Sequence, residues 1–269
     1  GVLGFDGSVD DLAVSHTLAA PLQLVSTGHL GYRENTLHLD LQHRWPGQSV
    51  PVELPVPVAL GAGQLSTTGT LDAVTIDGQA DLSADGTPLH LAVNGQAGLQ
   101  ALQLDALTVT SGAQRLTLNG HLDYQNGLAW DLNAEGRALN PALLAPAWPG
   151  KLSLDAASQG HWNGDDWALT VAPLKLAGTL KNAPLSLTGE ARQDAGRDLA
   201  IDLNGRWGED RLTAKGRIGD QLALDGRLSV TRLSRWYAAA NGRLRADWRL
   251  RGPLKTPRLS GSADGHDLG

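Results

Sequence analysis

The chain has 269 residues, 41% of them hydrophobic and 19% charged, with a formal net charge of −6. That is enough apolar material for a sizeable core. The absence of cysteine excludes a disulfide framework, thiolate metal sites and a cysteine nucleophile. There is no methionine either, so the chain reads as an excised piece of something longer. No run approaches the roughly 18–20 apolar residues of a membrane-spanning helix, and Gly1 does not open a signal-peptide layout. Any targeting or anchoring segment is expected upstream.

Leucine dominates the apolar residues, with 48 Leu against 13 Val, 3 Ile and one Phe, Phe5. Leucine favours helix on propensity alone, but the periodicity is that of strands. The first segment to stand out is Val50 to Leu60, with Pro51, Pro55 and Pro57 on alternate positions. A proline row removes ladder donors and predicts an edge strand or an extended crossing. Beyond it apolar residues alternate with polar ones, as in Leu116, Leu118, Leu122 and Tyr124, then Leu128, Trp130, Leu132 and Ala134. The pattern continues through Leu152-Leu154-Ala156, Leu185-Leu187, Leu199-Ile201-Leu203, Leu222-Leu224-Leu228 and Leu244-Ala246-Trp248-Leu250. Period two means strands with one apolar and one wet face. Turn signals fall between the runs at Asp85-Gly86, Asn126-Gly127, Asn163-Gly164, Gly219-Asp220 and Asn241-Gly242. Roughly 17 strands in an antiparallel meander are expected.

Asn140 to Trp148 and Thr231 to Ala240 break the meander and read as one or two helical turns each. Each is followed by a glycine and a strand, at Gly150 and Gly242, and Gly160 and Gly252 keep the same offset. This suggests repeat units of about 65–150 and 151–242 within one elongated segment, 1–269. A phrase Leu-x-Leu/Ala-x-Gly-x-Leu/Ala/Ile recurs at 116–122, 185–191, 212–218 and 222–228. Parity puts its glycines, Gly120, Gly189, Gly216 and Gly226, on the leucine side. Two compatible readings follow: the glycines let a coiled sheet curve, or they leave room for a guest.

The sequence holds no catalytic constellation, so an enzyme is not expected. The eight histidines are scattered, and His38 and His121 fall on the polar face as solvated residues. No metal or cofactor site emerges. Gly61-Ala62-Gly63 lacks the lysine and helix of a phosphate loop. Carboxylate pairs at Asp10-Asp11, Asp165-Asp166 and Glu209-Asp210 read as solvated turn residues. Charge is uneven: residues 1–136 hold 3 basic and 14 acidic residues, and residues 137–269 hold 19 and 14. On 243–251 parity sets Arg243, Arg245, Arg249 and Arg251 outward with Asp247. Nucleic acid is not expected as a partner, because Trp248 faces away from this strip and the whole chain is acidic. Contact with anionic lipid or a partner, or plain solvation, remain the readings of the strip.

The segments LNPALLAPAWPGKLSLDAASQG (139–160) and LRGPLKTPRLSGSADGHDL (250–268), with the repeated LxLxGxL phrase, resemble the TamB family of the AsmA-like superfamily. The likeness covers most of 65–269 and is weaker over 1–60. It implies an all-β fold: a long antiparallel meander curled into a β-taco, an open half-pipe around an apolar groove with two short helical interruptions. It also implies the periplasmic portion of an inner-membrane-anchored envelope protein that conducts phospholipid toward the outer membrane. The family's outer-membrane barrel partner, TamA, would be met through other parts of the full-length chain. Parity independently nominates the groove lining: Leu116, Leu118, Leu122, Trp130, Leu132, Leu152, Leu154, Leu185, Leu187, Ile201, Leu203, Leu222, Leu224, Leu228, Leu244 and Trp248. Such a lining suits acyl chains, which need no directional contacts. The competing functions are a structural β-solenoid with a dry interior and a chaperone groove for outer-membrane proteins that works through strand edges.

Overall fold

The computed structural model describes residues 1–20, 23–49, 58–143, 145–164, 166–193, 198–237 and 239–269. The alternating runs form strands: there are nineteen, with two single 3-10 turns and no α-helix among the described residues. The expected all-β antiparallel meander is what the chain forms. The proline row at 50–57 lies outside the described residues. The chain divides into two compact units, one of Gly1–Ala134 with Leu143–Pro146 and one of Glu135–Ala142 with Ala147–Gly269.

In the first unit the strands are β1 (Val2–Ser8), β2 (Asp11–Leu18), β3 (Leu24–Arg33), β4 (Thr36–Trp45), β5 (Gln48–Ser49), β6 (Val58–Thr70), β7 (Ala73–Ala84), β8 (Thr87–Ala97), β9 (Ala101–Ser111) and β10 (Gln114–Asp123). Each pairs antiparallel with the next, except that β4 and the two-residue β5 both pair with β6. A strand of two residues is too short to show a period, which is why β5 escapes a pattern search. Strand β11 (Leu128–Leu139) is shared between the two units.

The second unit runs β12 (Gly150–Asn163), β13 (Asp166–Leu180), β14 (Ala183–Gln193), β15 (Leu199–Trp207), β16 (Asp210–Ile218), β17 (Gln221–Val230), β18 (Arg243–Pro253) and β19 (Arg258–His266). All neighbours are antiparallel. The two expected helical segments shrink to 3-10 turns at Pro141–Leu143 and Leu233–Arg235. Among the described residues β1 pairs only with β2 and β19 only with β18, so neither meander closes into a barrel. Turns with two consecutive positive φ values at Glu34-Asn35, Asp85-Gly86 and Lys181-Asn182 keep successive strands adjacent.

Three bulges keep the apolar face in phase. On β9, Leu104 lies opposite Gly95 and Gly120 while Leu107 lies opposite Val93 and Leu118. Three residues of β9 therefore match two on each neighbour, with Asp105-Ala106 taking up the excess. Leu104 and Leu107 differ in parity yet share a face. Gly61-Ala62 does the same on β6, and Ala172-Pro173 on β13. A bulge tolerates proline because its extra residue leaves the ladder.

The glycines of the recurrent phrase fall into two groups. At Gly120 (φ 142) and Gly216 (φ 147) the backbone is left-handed, and a Cβ would strike the carbonyl oxygens of Asp131 and Ala223 on the next strand. Gly189 and Gly226 instead lie under the side chains of their cross-strand partners, Leu203 and Trp248. The gaps they leave are filled by neighbours, an arrangement that rescues a glycine in a sheet. Gly216→Ala is expected to destabilise the fold by about 2–3 kcal/mol, from backbone strain plus the clash. Gly86→Ala, at positive φ with nothing within 4 Å, should cost only about 1–2 kcal/mol. Urea midpoints of the two variants measure the difference, and equal midpoints would refute the close-approach role of Gly216.

Candidate functional site

The apolar face of each unit is built from cross-strand pairs, so register decides which leucines meet. In the second unit one row runs Leu154, Leu176, Leu187, Gly205, Leu212, Leu228 and Ala246, from β12 to β18. The next runs Leu174, Gly189, Leu203, Ala214, Gly226, Trp248 and Gly261, from β13 to β19. Along the second row large side chains largely alternate with small ones, whereas the first sets Leu154, Leu176 and Leu187 side by side. Leu152 and Leu185 flank Gly178, and Ile201, Leu222, Leu224 and Leu244 fall on the same face by their pairings with Gly216, Gly252, Leu250 and Val230. All the second-unit residues nominated by parity therefore share one face.

In the first unit Leu116, Leu118 and Leu122 lie opposite Val109, Leu107 and Leu102. On β11, Trp130 and Leu132 are half-buried and alternate with exposed Asp131 and Asn133. Asn133 donates to Asn119 of β10 on the polar side. The nominated residues are thus brought together within each unit, on the side away from the charges.

Burial on this face is partial. Leu152, Leu222 and Leu224 are buried, whereas the other nominated side chains are half-buried. Side-by-side packing shields the leucines only in part among the described residues. Eight strands at a spacing of about 4.8 Å make the second unit's face about 34 Å long across the strands. An uncovered apolar surface of that extent marks an interaction site.

The opposite face is charged and largely self-neutralised. Arg251 makes a two-pronged contact to Asp225 at 2.7 Å, Arg227 meets Asp247 at 2.7 Å, and Lys215 meets Asp202 at 2.8 Å. The basic strip thus carries carboxylates interleaved with its arginines, and these exposed pairs contribute little to stability. Among the described residues no three His, Asp or Glu side chains gather where they would hold a metal ion.

Two features escape a parity reading. The first is a packed corner that fixes one end of the second unit. Asp210, read from the sequence as a solvated turn residue, is 1% exposed. It accepts hydrogen bonds from the Thr231 backbone N–H and hydroxyl at 2.7 Å and from Trp236 Nε1 at 2.8 Å, and it pairs with Arg235 at 3.1 Å. Trp207 lies between Trp148 and Trp236, with ring centroids 5.5 and 5.2 Å away, and donates from Nε1 to the Leu180 carbonyl. Asp210 thus ties the turn at Leu233–Arg235 onto the β15–β16 hairpin. Nothing in a Glu-Asp turn pair foretells this, because its partners lie 21 to 26 residues away.

The second is a polar interruption of the apolar face of the first unit. His43 of β4 shares that face with Leu39 and Leu41. Its Nδ1 is 2.8 Å from Ser26 Oγ and its Nε2 3.1 Å from Thr67 Oγ1. Burial lowers its pKa below the ordinary histidine value.

Burial alone pushes the Asp210 carboxyl up. The hydrogen bonds from Thr231 and Trp236 and the charge of Arg235 outweigh it and hold the carboxyl below its usual range. Its stabilisation is therefore present above about pH 4 and is lost as pH falls through the lowered pKa. Asp210→Asn is expected to cost about 2–3 kcal/mol at pH 7. That gap should narrow when urea midpoints are measured again near pH 3. A gap unchanged across this range would show that the Asp210 charge does not hold the corner.

The profile of the family described as "TamB, N-terminal domain" matches residues 2–269, including the first 60 residues where the sequence phrases are weak. A relative from Haemophilus influenzae, "Translocation and assembly module subunit TamB", is 26% identical over 222 residues. The match covers 79% of this chain and 17% of the relative, so the chain spans under a fifth of that protein's length. No solved structure matches.

Proposed function

The chain belongs to the TamB N-terminal domain family, and from that premise we propose that its apolar face is a segment of a lipid conduit. Phospholipid acyl chains lie along the face, and the sheet curls about them. The chain works in the periplasm, as part of a longer protein held at the inner membrane, and carries lipid toward the outer membrane. The relative's name makes that protein a subunit of a translocation and assembly module, and we extend that role to this chain. A TamA-like barrel is engaged through other parts of the full-length chain.

The observation that carries this reading is that Leu154, Leu187, Leu203 and Leu228 are only half-buried in one register-matched field. A structural solenoid would bury these side chains. Each methylene of an acyl chain removed from water contributes about 0.8 kcal/mol, so a shallow track holds a tail. Rows of near-equivalent leucines offer no directional contact and no deep trap, which lets the tail slide.

A photo-crosslinking residue at Leu118, Leu187 or Leu203 of the full-length protein is expected to capture phospholipid, and one at Thr117 or Ser186 is not. Leu203→Arg should abolish transport while the protein still folds, because a charge there costs several kcal/mol to desolvate and meets no partner. Asn204→Arg, on the other face, should leave transport intact. Circular dichroism checks folding and an outer-membrane integrity assay checks transport. Equal capture on both faces, or normal growth with folded Leu203→Arg, would overturn the conduit reading.

A further inference from the structure

Within the first unit the apolar face is organised in rows that cross the strands, and two adjoining rows differ in chemistry. One runs Phe5, Val14, Gly28 and Leu41 across β1 to β4 and is wholly apolar. Its neighbour runs His16, Ser26 and His43 across β2 to β4, then becomes apolar at Leu65 of β6. Thr67 sits one step along β6, within reach of His43. Among the described residues, the same face of β1 to β7 carries no Asp, Glu, Lys or Arg.

The hydrogen bonds within this patch leave two donors without a partner among the described residues. Burial keeps the His43 ring neutral at pH 7, so it has one N–H and one bare nitrogen. Its N–H donates to one of the two hydroxyls, and its bare nitrogen accepts from the other. Whichever hydroxyl receives the ring proton keeps its own free to donate outward. The His16 ring, half-buried on the same face, has no hydrogen-bond partner among the described residues and offers the second donor. Unpaired donors beside an apolar row call for acceptor oxygens beside an alkyl chain. The lack of any fixed cation on this face disfavours a phosphate, whose charge would have no counterpart, and favours a neutral carbonyl.

We propose that the His16–Ser26–His43–Thr67 patch is a hydrogen-bonding site for the ester carbonyl oxygens of an acyl lipid, with the acyl chain lying on the adjoining Val14–Gly28–Leu41 row. This rests on the conduit reading and adds to it a substrate class: ester-linked lipids are held at β2 to β6 in preference to chains that lack a carbonyl. Elsewhere on the two faces a tail meets mainly apolar side chains. Here it has a registration point, set by two or three hydrogen bonds.

The test uses the full-length protein and two photoreactive phospholipids with the same headgroup and the same diazirine-bearing chain. One is ester-linked and the other is its ether-linked analogue without carbonyls. Labelling of peptides from 12–70 is expected to be several-fold higher with the ester probe. Thr67→Val combined with His16→Leu should bring the ester-to-ether ratio close to one while labelling by the ether probe persists. Thr67→Ser, which restores a hydroxyl, should keep the preference. Equal labelling by the two probes in the unaltered protein, or a ratio unmoved by the double variant, would overturn the proposal and leave the conduit standing. No labelling by either probe on the apolar face of either unit would overturn the conduit reading itself.

Discussion

A single sheet that leaves its apolar face uncovered must shield that face with its own side chains, and cross-strand pairing is the only means it has. This constraint governs the sequence more than helix or strand propensity does. Where a large residue is set against a glycine, as with Leu203 and Gly189 or Trp248 and Gly226, the large side chain lies over the glycine of the next strand. The leucines then protect one another laterally while staying half-buried. Two packed layers would have buried them. Glycine on the apolar face therefore serves packing within the layer, and the spaces beside it are taken by neighbours rather than left for a guest.

Because the face itself is open, stability has to come from elsewhere. The ladders supply the hydrogen bonds of nineteen strands, and the corner around Asp210 supplies dense side-chain packing away from the leucine rows. Three tryptophans and a buried ion pair gather where β15 turns into β16. Such a buried carboxylate is costly unless every acceptor site is used, and here Thr231, Trp236 and Arg235 use them. The division of labour is clear in physical terms: a fully satisfied, buried corner at the end of the strands, and a half-buried apolar field along their middle.

Much of this was legible in the residues, because period two is a local property. Parity along Leu185-Leu187 or Leu222-Leu224 assigns a face without knowledge of partners, and the nominated leucines of each unit do share one. Parity fails where the ladder gains a residue. Leu104 and Leu107 sit on the same face only because Asp105-Ala106 bulges, and no local pattern announces that. It is also blind to contacts made at a distance. Glu209-Asp210 looks like any other acidic turn until Thr231 and Trp236 return to it. The scattered histidines look solvated, and a lone His43 says nothing of Ser26 and Thr67 until the register brings them beside it.

The register also explains why a polar patch is tolerated on such a face at all. A histidine placed singly among leucines would lose its water and gain nothing, at a cost of a few kcal/mol. Two hydroxyls on the flanking strands offset that cost by occupying both ring nitrogens, and burial then favours the neutral ring. The result is a polar element that carries no charge at neutral pH and so does not repel an alkyl chain beside it. A lysine or arginine in the same place would have needed a carboxylate, and the pair would have drawn water onto the row. Neutral donors are the one polar chemistry compatible with an apolar track. Their clustering on β2 to β6 sets this part of the first unit apart from the leucine-rich rows of the second.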